Sequence, residues 1–72
     1  MITVYTKPDC PMCDRTKAKL DERGIAYETT DLVDDPKALE FVRSLGYSSA
    51  PVVYVSPEWH WSSYKPDEIK RL

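Results

Sequence analysis

Cys10 and Cys13 are the only cysteines in this 72-residue chain, and Pro11 and Met12 stand between them. A β-rich run, Ile2-Thr3-Val4-Tyr5-Thr6, precedes them, and a stretch that reads as a helix, Pro11 to Arg23, begins between them. Residues three apart on a helix share a face, with Cβ atoms about 5–6 Å apart. Bridged cysteines have Cα atoms about 4.4–6.8 Å apart, so this pair can close a disulfide with modest adjustment. A Cys-x-x-Cys pair at the start of a strand–helix–strand pattern reads as a thiol–disulfide exchange centre.

The two sulfurs differ in position. Cys10 falls near the helix N-terminus, where free N–H groups and the macrodipole favour a negative sulfur. Such a thiolate has a pKa of about 3.5–7.5, against about 8.5 for an ordinary thiol. Cys10 is therefore the candidate nucleophile, and Cys13, one turn inside, the candidate resolving thiol. Pro11 suits the first helical position, where the missing N–H costs nothing. Lys7 adds positive charge nearby, and its reading as a plain solvated side chain stands beside that one. Asp9 and Asp14 oppose it, because a neighbouring carboxylate raises a thiol pKa.

Three other readings compete for the cysteines: free buried thiols, half of a zinc site, and a structural staple. A zinc site needs four ligands, and His60 is the only other soft donor, so no metal is expected. A staple closing so short a loop removes little unfolded-state entropy. Redox chemistry is the reading that uses both the motif and its context.

The length fits one domain, residues 1–72, with a small core. The net charge of −2 is spread along the chain, and no basic stripe points to nucleic acid. No apolar run is long enough to span a bilayer. No secretory leader is expected, since no charged segment followed by an apolar run stands ahead of the first strand. The expected setting is the cytoplasm, where lasting structural disulfides are rare, and the expected state is a monomer.

The elements that must position the cysteines follow from pattern and punctuation. After the first strand and the helix, in which Ala18 and Leu20 are apolar, Gly24 is a natural stop. Ala26 to Asp31 reads as a second strand. Asp34 or Asp35 can cap a second helix from Pro36 to about Leu45, with Leu39, Val42 and Leu45 three apart, and Gly46 ends it. Pro51 to Val55 lacks polar interruption and reads as a central strand. Ser56-Pro57-Glu58 is a turn, Trp59-His60-Trp61 a short strand, and Asp67 to Leu72 a last short helix. The order β-α-β-α-β-β-α predicts a mixed four-stranded sheet flanked by three helices. Its strand–helix–strand units are expected to pair in parallel and its final hairpin antiparallel. Alternation puts Trp59 and Trp61 on one face, with Trp61 expected in the core, and His60 reads as a surface residue.

This order resembles the thioredoxin-like fold in its small, glutaredoxin-like form, and most closely the NrdH-redoxins. Three stretches carry the resemblance: Val4-Tyr5-Thr6-Lys7-Pro8-x-Cys10-x-x-Cys13, Leu45-Gly46-Tyr47-x-x-Ala50-Pro51-Val52-Val53, and His60-Trp61-Ser62-Ser63-Tyr64-Lys65-Pro66-Asp67. It implies that Pro51 is a cis proline facing the disulfide, and that the backbone of Ala50 pairs with a bound substrate chain. It implies partner contacts from Lys7, Pro11, Met12, Trp61, Ser62, Ser63, Tyr64 and Lys65. It further implies electron donation to class Ib ribonucleotide reductase, with recharging by thioredoxin reductase. NADPH would be the ultimate source and no cofactor would be bound. The chain departs from the NrdH pattern at Pro11-Met12, Ser63, Tyr64 and Lys65, where that family is similar to Val-Gln or Met-Gln, Gly, Phe and Arg.

Two alternatives remain at this level. One is a glutaredoxin using glutathione or another small thiol. Glutaredoxins resemble one another in a Gly-Gly turn ahead of the last helix, and this chain has Ser62-Ser63 and Pro66, which has no N–H to donate. The other is a redox-sensing binding module that regulates a partner.

Overall fold

The computed structural model describes residues 1–72. The elements run β1 (Ile2–Thr6), α1 (Pro11–Glu22), β2 (Tyr27–Asp31), α2 (Pro36–Ser44), β3 (Val52–Ser56), β4 (Trp59–Ser62) and α3 (Pro66–Ile69). This is the thioredoxin-like order expected above. Each helix opens on a proline, where fixed φ and the absent N–H fit the first turn. Of the two candidate caps for α2, Asp35 does the capping: its Oδ1 accepts the Ala38 N–H at 3.1 Å. Asp34 instead belongs to the turn before it, its N–H reaching Asp31 Oδ1 at 3.4 Å. Gly24 closes α1 at φ +68°, a conformation that costs a glycine nothing.

The sheet order is β2-β1-β3-β4, so the uninterrupted apolar strand β3 is interior. β1 and β2 pair in parallel, with Ile2 opposite Tyr27 and Thr6 opposite Asp31. β3 and β4 form the antiparallel hairpin, with an irregularity between Tyr54 and Ser56. The second strand–helix–strand unit departs from the parallel expectation, because β3 runs antiparallel to β1. The registers explain it. Thr6 lies opposite Asp31 in one pair and Tyr5 opposite Val52 in the other. The chain therefore enters β3 at the same end where β1 and β2 finish. A nine-residue helix is about 13 Å long, and the Leu45–Pro51 segment after α2 brings the chain back instead of carrying it across.

Successive β3 residues point to opposite faces. Val52 joins one buried cluster with Cys10, Cys13, Leu32, Ala38, Val42 and Ala50. Val53 joins the other with Val4, Leu20, Trp61 and Ile69. Thus α2 covers one face, while Leu20 of α1 and Ile69 of α3 cover the other. On α1 the expected apolar position Ala18 is exposed, and Thr16 is fully buried in its stead. Its hydroxyl donates to the Met12 carbonyl at 2.8 Å, which satisfies the polar atom and lets it sit in the core. The last helix is also shorter than expected, starting at Pro66 and ending at Ile69 before a turn.

Candidate redox site

Cys10 is the N-cap residue of α1, with extended backbone at φ −119° and ψ 94°. Its Sγ accepts the Cys13 N–H at 3.2 Å, and its carbonyl accepts the Asp14 N–H at 3.1 Å. The two cysteines are joined as a disulfide with Cα atoms 5.2 Å apart. The helix start thus does two things. It brings the sulfurs within bonding reach, and it aims an otherwise orphaned backbone donor at the Cys10 sulfur. Cys13 is 1% exposed and Cys10 6%, so the small accessible edge of the disulfide belongs to Cys10. Pro11 is exposed and Met12 is 41% exposed beside it, an apolar rim next to the sulfurs.

The antiparallel entry of β3 brings the second stretch to this end of the sheet. The Ala50–Pro51 peptide is cis, and Ala50 shares the buried cluster of both cysteines. Neither the N–H nor the C=O of Ala50 takes part in a hydrogen bond within the molecule. The Pro51 carbonyl is occupied, accepting the Ser63 N–H at 2.9 Å. That bond ties the third stretch to the second, and Ser62 lies opposite Val52 in the sheet. Ser63 holds φ at +71°, a left-handed conformation that glycine adopts freely and serine does not.

Beside Ala50 a cavity of about 270 Å³ opens between Lys7, Leu32, Val33, Leu39, Val42 and the Ser48–Ala50 segment. Lys7 is exposed at its rim and enters none of the ion pairs in the molecule. Asp14, which opposes an anionic Cys10, is partly drawn off by Lys17 at 3.7 Å.

The remaining site candidates separate. Trp61 is only 4% exposed and packs with Val4, Leu20, Val53 and Ile69 on the face away from the disulfide cluster. Its side chain is therefore core, as its strand alternation suggested, and offers no surface for a partner. Tyr64 is half-buried against that same cluster, and Lys65 is exposed at the cap of α3. No group of three or more His, Cys, Asp or Glu side chains is arranged to hold a metal ion.

Sequence reasoning missed the cavity wall. Leu32 and Val33 fall in a loop, where an apolar pair before a capping aspartate was the available signal. It also missed the role of His60, which is not a free surface side chain. Tyr47 Oη lies 2.8 Å from His60 Nδ1 and 3.1 Å from the His60 carbonyl.

Strand, helix start, disulfide and cis proline together form a disulfide-exchange arrangement, and the relatives agree with it. The sequence profile of the glutaredoxin family matches residues 2–60. The chain belongs to the glutaredoxin family. Within it the likeness to the NrdH-redoxins spans the full chain. The glutaredoxin-like protein NrdH of Escherichia coli is 38% identical over 71 residues, covering 99% of this chain and 86% of that one. The NrdH protein of Lactococcus lactis is 32% identical over 72 residues, covering 100% of this chain and 99% of its own. The solved structure of the Escherichia coli NrdH-redoxin superposes with a TM-score of 0.93 over 99% of this chain and 92% of that one. A glutaredoxin from Archaeoglobus fulgidus, 30% identical, gives a TM-score of 0.84 over 99% of this chain and 83% of its own. As a member of this family, the redoxin is a thiol–disulfide oxidoreductase with a Cys-x-x-Cys redox pair. No helix is long and apolar enough to cross a membrane.

Proposed function

We propose that this redoxin is a dithiol electron donor to protein disulfides, acting as one redoxin domain over residues 1–72. The observation that carries the reading is the Cys10 sulfur at the helix N-cap, accepting the Cys13 N–H beside an unpaired Ala50 backbone. In the reduced protein the same donor stabilises a Cys10 thiolate. That thiolate attacks a substrate disulfide. One Cys10–substrate bond forms, the substrate S–S bond breaks, and the departing thiolate takes a proton. Cys13 then loses its proton and attacks Cys10. The intramolecular disulfide closes and the second substrate thiolate leaves and is protonated. Two electrons and two protons pass to the substrate.

During attack the free Ala50 N–H and C=O pair with the extended substrate chain as an added strand would. Lys7, Pro11, Met12 and the Ser62–Lys65 segment line the approach. The solved Escherichia coli relative is described as having a thioredoxin-like activity profile. We carry that profile to this chain: thioredoxin reductase restores the dithiol with NADPH as the indirect source, and class Ib ribonucleotide reductase is the acceptor in the cytoplasm. Two features support a protein reductase over glutathione. Pro66 removes an N–H from the first turn of α3, and Ser63 stands where glutathione-binding relatives resemble one another in glycine. The deciding experiment compares NADPH oxidation through thioredoxin reductase with that through glutathione and its reductase.

A further inference from the structure

The segment that presents Ala50 is weakly tethered. At its start, the N–H groups of Leu45, Gly46 and Tyr47 bond back to carbonyls of α2. At its end, the Pro51 carbonyl accepts the Ser63 N–H. Between them, Ser48, Ser49 and Ala50 make no backbone hydrogen bond at all, although they wall the cavity and adjoin the cysteine cluster. A stretch without hydrogen bonds is free to shift unless a side chain holds it.

One side chain does. The Tyr47 hydroxyl reaches past β3 to β4, 2.8 Å from His60 Nδ1 and 3.1 Å from the His60 carbonyl. Both contacts are made at once when Tyr47 O–H donates to the carbonyl and His60 Nδ1–H donates to the hydroxyl oxygen. The His60 end is firm. Its ring stacks on Tyr54, its cross-strand neighbour, at 5.9 Å and 9°. Tyr54 in turn meets Phe41 of α2 edge-on at 5.2 Å. The Tyr47 and His60 rings are T-shaped at 5.5 Å. The strut therefore runs from the substrate-facing loop to a stack anchored on two strands and a helix. Neither residue belongs to the cluster of the sulfurs, although Tyr47 packs against its margin.

From this we infer that Tyr47 and His60 are positioning residues for substrate docking, holding the Ser48–Ala50 backbone where a protein disulfide must pair with it. The inference rests on the dithiol-donor reading. It assigns the pair to binding of extended protein substrates and not to the chemistry at sulfur, so a small disulfide should be indifferent to it.

The test is a single-turnover oxidation of pre-reduced protein by insulin and, separately, by bis(2-hydroxyethyl) disulfide. The variants are Tyr47→Phe, His60→Ala and His60→Asn. Tyr47→Phe keeps the ring and removes the hydroxyl. His60→Asn can keep a donor near the Nδ1 position. Loss of one such hydrogen bond is worth about fivefold in an equilibrium. His60→Ala, which removes one contact, should raise the half-saturating insulin concentration about fivefold, and Tyr47→Phe, which removes both, at least as much, with the plateau rate and the small-disulfide rate unchanged. The double variant should be no worse than Tyr47→Phe, and His60→Asn should stay near wild type. Unchanged half-saturation in Tyr47→Phe, or equal slowing of both substrates, would overturn the inference alone. A wild-type protein that reduces neither disulfide would overturn the donor reading and this inference with it.

Discussion

At the residue scale, the two sulfurs in one turn of helix are unlike one another. Cys10 keeps the exposed edge and the N-cap position, while Cys13 is sealed. Alkylation of the reduced protein below neutral pH should therefore modify Cys10 first, read by peptide mass spectrometry. Cys10→Ser should be inert toward disulfides. Cys13→Ser should attack once and stall as a mixed disulfide visible as an added mass. Faster labelling of Cys13 would reverse the assignment. Ser63 supplies a second test. A left-handed conformation costs a residue with a Cβ about 1–2 kcal/mol, and glycine's extra unfolded-state entropy offsets about 0.4–1 kcal/mol. Ser63→Gly should then stabilise the protein by about 0.5 kcal/mol in urea unfolding. Much of this scale was legible in the chain: the cysteine spacing, the helix-start proline and the departure at Ser63 are all local. Tyr47–His60 was not, because its partners are 13 residues apart and meet only after β3 and β4 pair. The burial of Thr16 was not legible for a related reason, since only the folded helix gives its hydroxyl the Met12 carbonyl as a partner.

At the element scale, α3 is one turn long and is tied to β4 through side chains. Trp59 Nε1 donates to Glu68 Oε2 at 2.7 Å. Arg71 bonds the other carboxylate oxygen at 3.1 Å and lies 5.2 Å over the Trp59 ring. The Trp59 hydrogen bond, and after it Arg71, hold the Glu68 carboxyl below the usual carboxylate range. A lowered native pKa means the unfolded chain binds the proton more readily, so the contribution is present above the usual value and fades as pH falls through the native one. The stability gap between wild type and Glu68→Gln should be constant from pH 8 to about 5 and shrink toward pH 3. Urea titrations across that range check it, and a gap that widens in acid would contradict it. Ile69, fully buried in the same turn, should cost about 2–5 kcal/mol as Ile69→Ala. Element positions were readable because prolines, Asp35 and the glycines punctuate them. The direction of β3 was not readable, since it depends on a short helix and a seven-residue return that no local pattern encodes. That misjudged direction is what carries Ala50 and Pro51 to the cysteines.

At the scale of the whole molecule, the groups we assign to substrate contact gather at the end of the sheet where β1 and β2 finish and β3 begins. Lys7, the disulfide, Ala50 and the cavity lie there, and Ser63 is bonded to it through Pro51. Trp61 lies behind, so beside Lys7, Met12 and Ala50 the residues of the β4–α3 junction that we assign to docking are the half-buried Tyr64 and exposed Lys65. Replacing both by alanine should raise the KM for a thioredoxin reductase severalfold with little change in the Cys10 alkylation rate, checked by steady-state kinetics beside a labelling time course. The central claim, a dithiol donor served by a protein reductase, is tested most directly by NADPH oxidation in the presence of insulin. Thioredoxin reductase with this redoxin should sustain turnover, which Cys10→Ser abolishes. Glutathione with its reductase should give little. Turnover with glutathione alone, and none with thioredoxin reductase, would contradict the account.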